Sequence, residues 1–137
     1  MQTGTSFTTL DFDTRERFVR LRQDLGVESF GLNLMLLEPG QRGRVHRHER
    51  QEEVYVVLEG TLTLELEGGE THTLGPRDVA RVAPDLRRQV SNRGEQRVAL
   101  LALGGAEPHE GRDGVAFDDW DDEEGKSPQD VPLPRDL

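Results

Sequence analysis

The sequence predicts an all-β domain, a sandwich or barrel of short strands. From residue 29 onward apolar residues recur with period two, as in Ser29 to Leu37 (SFGLNLMLL) and Thr61 to Leu66 (TLTLEL), the signature of a strand with one buried face. Turn signals interrupt these runs: Glu38-Pro39-Gly40, Glu59-Gly60, Gly68-Gly69 and Gly75-Pro76-Arg77-Asp78. Short strands punctuated about every 8–12 residues belong to sandwiches and barrels.

Residues 1–28 form an N-terminal segment, 29–104 the barrel and 105–137 an acidic tail. In the first, TRERFVRLRQDL (Thr14 to Leu25) sets Phe18, Leu21 and Leu25 at helical spacing. A short helix is expected there, with Asp13 as N-cap and Gly26 as its stop, and a strand as the competing reading. The barrel strands follow at Ser29–Leu37, Val45–Glu49, Glu53–Leu58, Thr61–Leu66, Thr71–Leu74, Val79–Val82, Arg88–Ser91 and Arg97–Leu103. Glu67-Gly68-Gly69 is a hairpin turn. After Leu103 the chain turns polar, and FDDWDDEE (Phe117 to Glu124) surrounds the single tryptophan. A solvated, irregular tail is the leading expectation. The competing one has Phe117 and Trp120 packing on the barrel or on a sister subunit, because an aromatic pair in so polar a segment needs a landing place.

Composition excludes several classes. The 137 residues suit one domain with its own core. No cysteine is present, so disulfides and thiolate metal sites are out. The N-terminus lacks the basic and apolar regions of a signal peptide, and no apolar run approaches the roughly 20 residues of a membrane span. A soluble, cytoplasmic protein is expected. The net charge of −10 sits mostly in the tail: residues 1–106 carry 16 acidic and 14 basic side chains, residues 107–137 carry 11 and 3. Without an excess of positive charge, nucleic acid is not an expected partner. No serine lies in a nucleophile elbow, and no glycine-rich loop has the strand-to-helix setting that cradles phosphate.

The chemistry concentrates between Gly40 and Gly60 (GQRGRVHRHERQEEVYVVLEG). On an extended strand His46 and His48 share a face. Two imidazoles with a carboxylate close behind are the ligand types of a divalent metal such as Fe, Mn, Ni or Zn. Glu53 is favoured over Glu52 because it shares parity with Tyr55 and Val57; Glu52 takes the role only if the loop after His48 is irregular. The competing reading puts both histidines on a solvated edge among Arg44, Arg47, Glu49 and Arg50. His72, beside the Gly68-Gly69 hairpin, and His109, in the tail, are not expected ligands.

The stretch resembles the first motif of the cupin family. Gly40, five residues, His46-x-His48, four residues, Glu53, six residues and Gly60 match without a gap, and the resemblance covers roughly residues 30 to 104. It implies a double-stranded β-helix, a jelly-roll barrel with the histidines lining its interior, and a homodimer formed through sheet edges. The family spans dioxygenases, isomerases, decarboxylases, sugar-binding and storage proteins, so it leaves function open.

The second cupin motif supplies a third histidine, followed four residues on by asparagine. Here that segment is Gly75-PRDVARVAPDLRRQVS-Asn92, and Arg88 stands at the histidine position, with Asp85 where a glycine is usual and Pro84 retained. A guanidinium has no lone pair and adds charge beside a cation. Three readings stay open. His46, His48 and Glu53 hold a metal as an open facial triad; Arg88 replaces the metal and pairs with Glu53; or Arg88 meets a ligand carboxylate or phosphate. The expected function is therefore small-molecule binding around a divalent-metal site. The alternatives are a metal-dependent oxygenase or isomerase acting on a small polar substrate, with Tyr55 or Glu52 moving protons, and a metal-free anion-binding or structural protein. Gln89 joins the ligand-binding set only if a bulge at Arg87-Arg88 turns it inward.

Overall fold

A computed structural model describes residues 4–106 and 113–137. In chain order the elements are β1 (Phe18–Val19), α1 (Leu21–Leu25), β2 (Gly31–Leu37), β3 (Val45–His48), β4 (Glu52–Glu59), β5 (Leu62–Leu66), β6 (Thr71–Leu74), β7 (Val79–Val82), β8 (Arg88–Ser91), β9 (Val98–Gly105), β10 (Gly114–Phe117) and a 3₁₀ turn at Pro128–Asp130. The strands make two antiparallel five-stranded sheets, ordered β1-β2-β9-β4-β7 and β10-β3-β8-β5-β6. The all-β jelly-roll expected from the sequence is the fold observed.

Alternation builds the interior. Met35 and Leu37, Tyr55 and Val57, and Val98, Leu100 and Ala102 project from the first sheet; Leu62, Leu64 and Val90 answer from the second. β9 (VALLALGG) reads as a continuous apolar run because both of its faces are covered. Its Ala99 and Leu101 lie outside the barrel with Leu34 and Leu36, beneath Phe12, Val19 and Leu21 of the N-terminal segment. Between β4 and β5, Gly60 turns at φ 78°. A Cβ there would run into the backbone of Arg97, so the position demands glycine twice over.

Two segments depart from expectation. The helix is confined to Leu21–Leu25 and Asp13 does not cap it; Gly26 does end it, in the left-handed conformation at φ 74°. Phe18 and Val19 pair instead with Met35 and Leu34. That covers the edge of β2, which would otherwise present unpaired backbone groups. The tail, in turn, is not wholly irregular. Gly114–Phe117 adds a strand to β3, pairing Gly114 with His48 and Ala116 with His46, and Ala116, Phe117 and Val131 are buried. His109 lies outside the described residues. No helix among the described residues is long and apolar enough to cross a membrane.

Candidate metal centre

Strand parity decides what faces the barrel interior. Arg44, His46 and His48 alternate with Val45 and Arg47, and Glu53 and Tyr55 share one face of β4. All five line a cavity of about 170 Å³, together with Asn33, Met35, Val90 and Ala102. One ligand atom each from His46, His48 and Glu53 can be chosen so that the three lie within 4.8 Å of one another.

The carboxylate is crowded with partners. Oε1 of Glu53 accepts the Tyr55 hydroxyl at 2.5 Å and Nε of Arg88 at 3.3 Å, with His46 Nε2 also 3.3 Å away. Oε2 faces His48 Nε2 at 3.6 Å. Burial alone would push the Glu53 carboxyl upward. The His46 and His48 rings and the charge of Arg88 outweigh it and hold the group well below the usual carboxylate range. Tyr55 moves the other way, pushed well above its ordinary value by burial and then by the Glu53 charge.

His46 carries a constraint of its own. Its Nδ1 sits 3.1 Å from the carbonyl of Arg44; a carbonyl only accepts, so Nδ1 bears the hydrogen. In the neutral ring the Nε2 lone pair then points at the Glu53 carboxylate, and two lone pairs face each other unless a cation, proton or metal, lies between. Nδ1 donating to a backbone carbonyl while Nε2 is left for the ion is the usual outer arrangement of a metal-binding histidine. His48 lacks such a bond: both ring nitrogens are buried without a hydrogen-bond partner, and Nδ1 looks toward the buried carboxylate of Asp113 at 4.0 Å. Ligands about 2.1 Å from a shared zinc-like ion and 90–109° apart stand about 3.0–3.4 Å from one another. His46 Nε2 lies 3.3 Å from Oε1 of Glu53 and His48 Nε2 3.6 Å from Oε2, and with one ligand atom from each residue inside 4.8 Å the donor set is of the kind a divalent ion takes.

The other residues singled out from the sequence separate. Arg88 has no exposed surface. Its Nη1 serves the carbonyls of Ala83, Pro84 and Leu86, at 3.3, 3.1 and 2.5 Å. Glu52 points out of the barrel, exposed and paired with Arg81 at 2.7 Å. Gln89 also faces away from the cavity. The β5–β8 register is unbroken from Thr63–Ser91 to Leu66–Arg88, so no bulge turns it inward; its side chain donates to the Gly43 carbonyl and accepts from Trp120 Nε1. His72 is exposed and pairs with Glu70.

Asp113 went unnoticed in the sequence. Its Oδ2 accepts the backbone N–H groups of Arg50 and Gln51 at 2.7 and 2.6 Å, pinning the loop between β3 and β4. As one acid in an acidic tail it carried no distinguishing signal. Arg44 was signalled only by its parity with the histidines.

The family model for the cupin domain matches residues 33–104. The chain is a cupin. Among solved structures this cupin is similar to a cupin protein from Bacteroides fragilis, at 22% identity and a TM-score of 0.66, covering 77% of this chain and 86% of that one. It is similar as well to a sugar phosphate isomerase of the cupin superfamily from Silicibacter pomeroyi, at 27% identity and a TM-score of 0.65, covering 85% and 79%. A putative sugar phosphate isomerase from Acidithiobacillus ferrooxidans follows at 21% identity and a TM-score of 0.63, covering 87% and 80%. Comparison with curated proteins returns no match.

Proposed function

We propose that this cupin binds a small molecule at a divalent metal held by His46, His48 and Glu53. The observation that carries this reading is the convergence of His46, His48 and Glu53 at the cavity wall, with one ligand atom from each within 4.8 Å of the others. The orphaned nitrogens of His48 add to it. When bound, such a metal acts as a Lewis acid that polarises a coordinated oxygen. Asp113 orients the His48 side of the site, the Arg44 carbonyl fixes the His46 ring, and Tyr55 holds its proton on Glu53. Met35, Val90 and Ala102 keep the inner wall apolar and exclude water.

A metal-dependent isomerase is the second reading, favoured by the likeness to the Silicibacter pomeroyi protein and by a phenol that stays protonated beside a carboxylate at the cavity wall. The third reading, a metal-free structural ion pair, draws on the Arg88–Glu53 contact. Elemental mass spectrometry of untagged protein, beside His46→Ala, decides the first point. Near-stoichiometric metal that disappears in the variant supports the metal reading. No metal in either protein, even after reconstitution, overturns it and leaves the structural pair.

A further inference from the structure

The arginine that lines the cavity is Arg44, not Arg88. Arg88 is fully buried and spends Nη1 on three backbone carbonyls. Arg44 lines the cavity, two residues before His46 and immediately ahead of β3. Its Nε donates to the carbonyl of Val131 at 2.7 Å. That bond fixes the guanidinium plane and leaves Nη1 and Nη2, the end-on fork that meets a carboxylate or phosphate with two parallel hydrogen bonds.

No carboxylate among the described residues neutralises Arg44. Arg44 is thus a cavity-lining arginine without a carboxylate partner, whose charge a bound anion would offset.

We propose that the cavity takes a small oxyanion, a carboxylate or phosphate ester, whose charged group is gripped by Nη1 and Nη2 of Arg44 while the remainder faces His46 and His48. The inference deepens the small-molecule reading by giving the ligand a charge and an orientation. A cavity of about 170 Å³ limits that ligand to a few carbon atoms beyond the anion, since drug-sized pockets begin near 300 Å³.

Calorimetry with inorganic phosphate and with malonate, on wild type, Arg44→Gln and Arg44→Lys, tests it, with metal content measured on each protein. The expected result is saturable binding of at least one anion, weakened roughly tenfold or more in Arg44→Gln and less in Arg44→Lys, as expected of a charge-assisted fork. The preferred anion tells phosphate ester from carboxylate. Failure of both anions to bind folded wild type, or equal binding by Arg44→Gln, overturns the inference. Arg44-dependent binding in a protein that takes up no metal sinks the metal reading and leaves the oxyanion site standing; metal uptake with Arg44-independent binding does the reverse. Should Arg44→Gln lose its fold with the Val131 bond, ring signals of metal-free wild type serve instead. Phosphate or malonate should shift His46 and His48 but not the exposed His72, and unmoved His46 and His48 signals overturn the proposal.

Discussion

Nε of Arg88 donates to Oε1 of Glu53 at 3.3 Å, across the barrel from β8 to β4, and neither side chain is more than 12% exposed. The pair explains how a cupin motif survives with arginine at a ligand position. In register Arg88 lies directly opposite His46, so its charge is held within the constellation, fastened by three carbonyls on one side and the carboxylate on the other.

Removing one partner of a buried ion pair strands the other. Arg88→Ala in metal-free protein should lower stability by about 3–5 kcal/mol, measured by denaturant unfolding. Arg88→His should act differently on the metal. It deletes a cation and offers a lone pair at the strand position facing His46, so affinity in a chelator competition should rise by roughly tenfold or more. Unchanged affinity would mean that Arg88 does not oppose the ion.

Tyr55 is the only tyrosine in the chain, so absorbance titration reads one group. Burial, then the Glu53 charge, raises its folded value well above the ordinary one. The folded state therefore holds this proton more tightly than the unfolded chain does. The associated stability is complete below about pH 10 and falls as pH rises above that. Phenolate should appear only together with unfolding, followed by circular dichroism. Ionisation near pH 10 in folded protein would contradict the Tyr55–Glu53 bond.

Much of this was legible in the sequence, and the reasons are local. Period-two patterning and glycine turns located the barrel strands, because a half-buried strand must alternate and a tight reversal must have its turn residues. The parity of Glu53 with Tyr55 separated it from Glu52. Phe18 misled, since its spacing to Leu21 and Leu25 is helical while its backbone completes the edge of β2. Gly114–Phe117 hid for a related reason: a four-residue strand amid acids has too little pattern of its own and is held by pairing with β3. Gln89 was assigned to the ligand only through a bulge that the register lacks.

Trp120, the single tryptophan, reports on whether the C-terminal segment belongs to the barrel's cooperative unit. Its Nε1 donates to the buried Gln89 at 3.2 Å, and Arg87 lies 3.7 Å over the Phe117 ring. Tryptophan emission and far-ultraviolet dichroism should give superimposable melting curves; an earlier fluorescence transition would show the segment undocking alone. Arg87→Ala removes the cation over that ring and should cost about 1–2 kcal/mol.

Asp113 links the tail to the histidines. Its Oδ2 takes the N–H groups of Arg50 and Gln51 and faces Nδ1 of His48. Asp113→Ala leaves two backbone donors without this acceptor and should destabilise the protein by about 2–4 kcal/mol. Asp113→Asn keeps an oxygen for those donors but removes the charge that supports His48, so it should stay near wild-type stability while metal affinity falls about 10–100-fold. Chelator competition beside thermal unfolding separates the two roles. Equal loss of stability in both variants with unaltered affinity would make Asp113 a loop anchor alone and leave the orientation of His48 to packing.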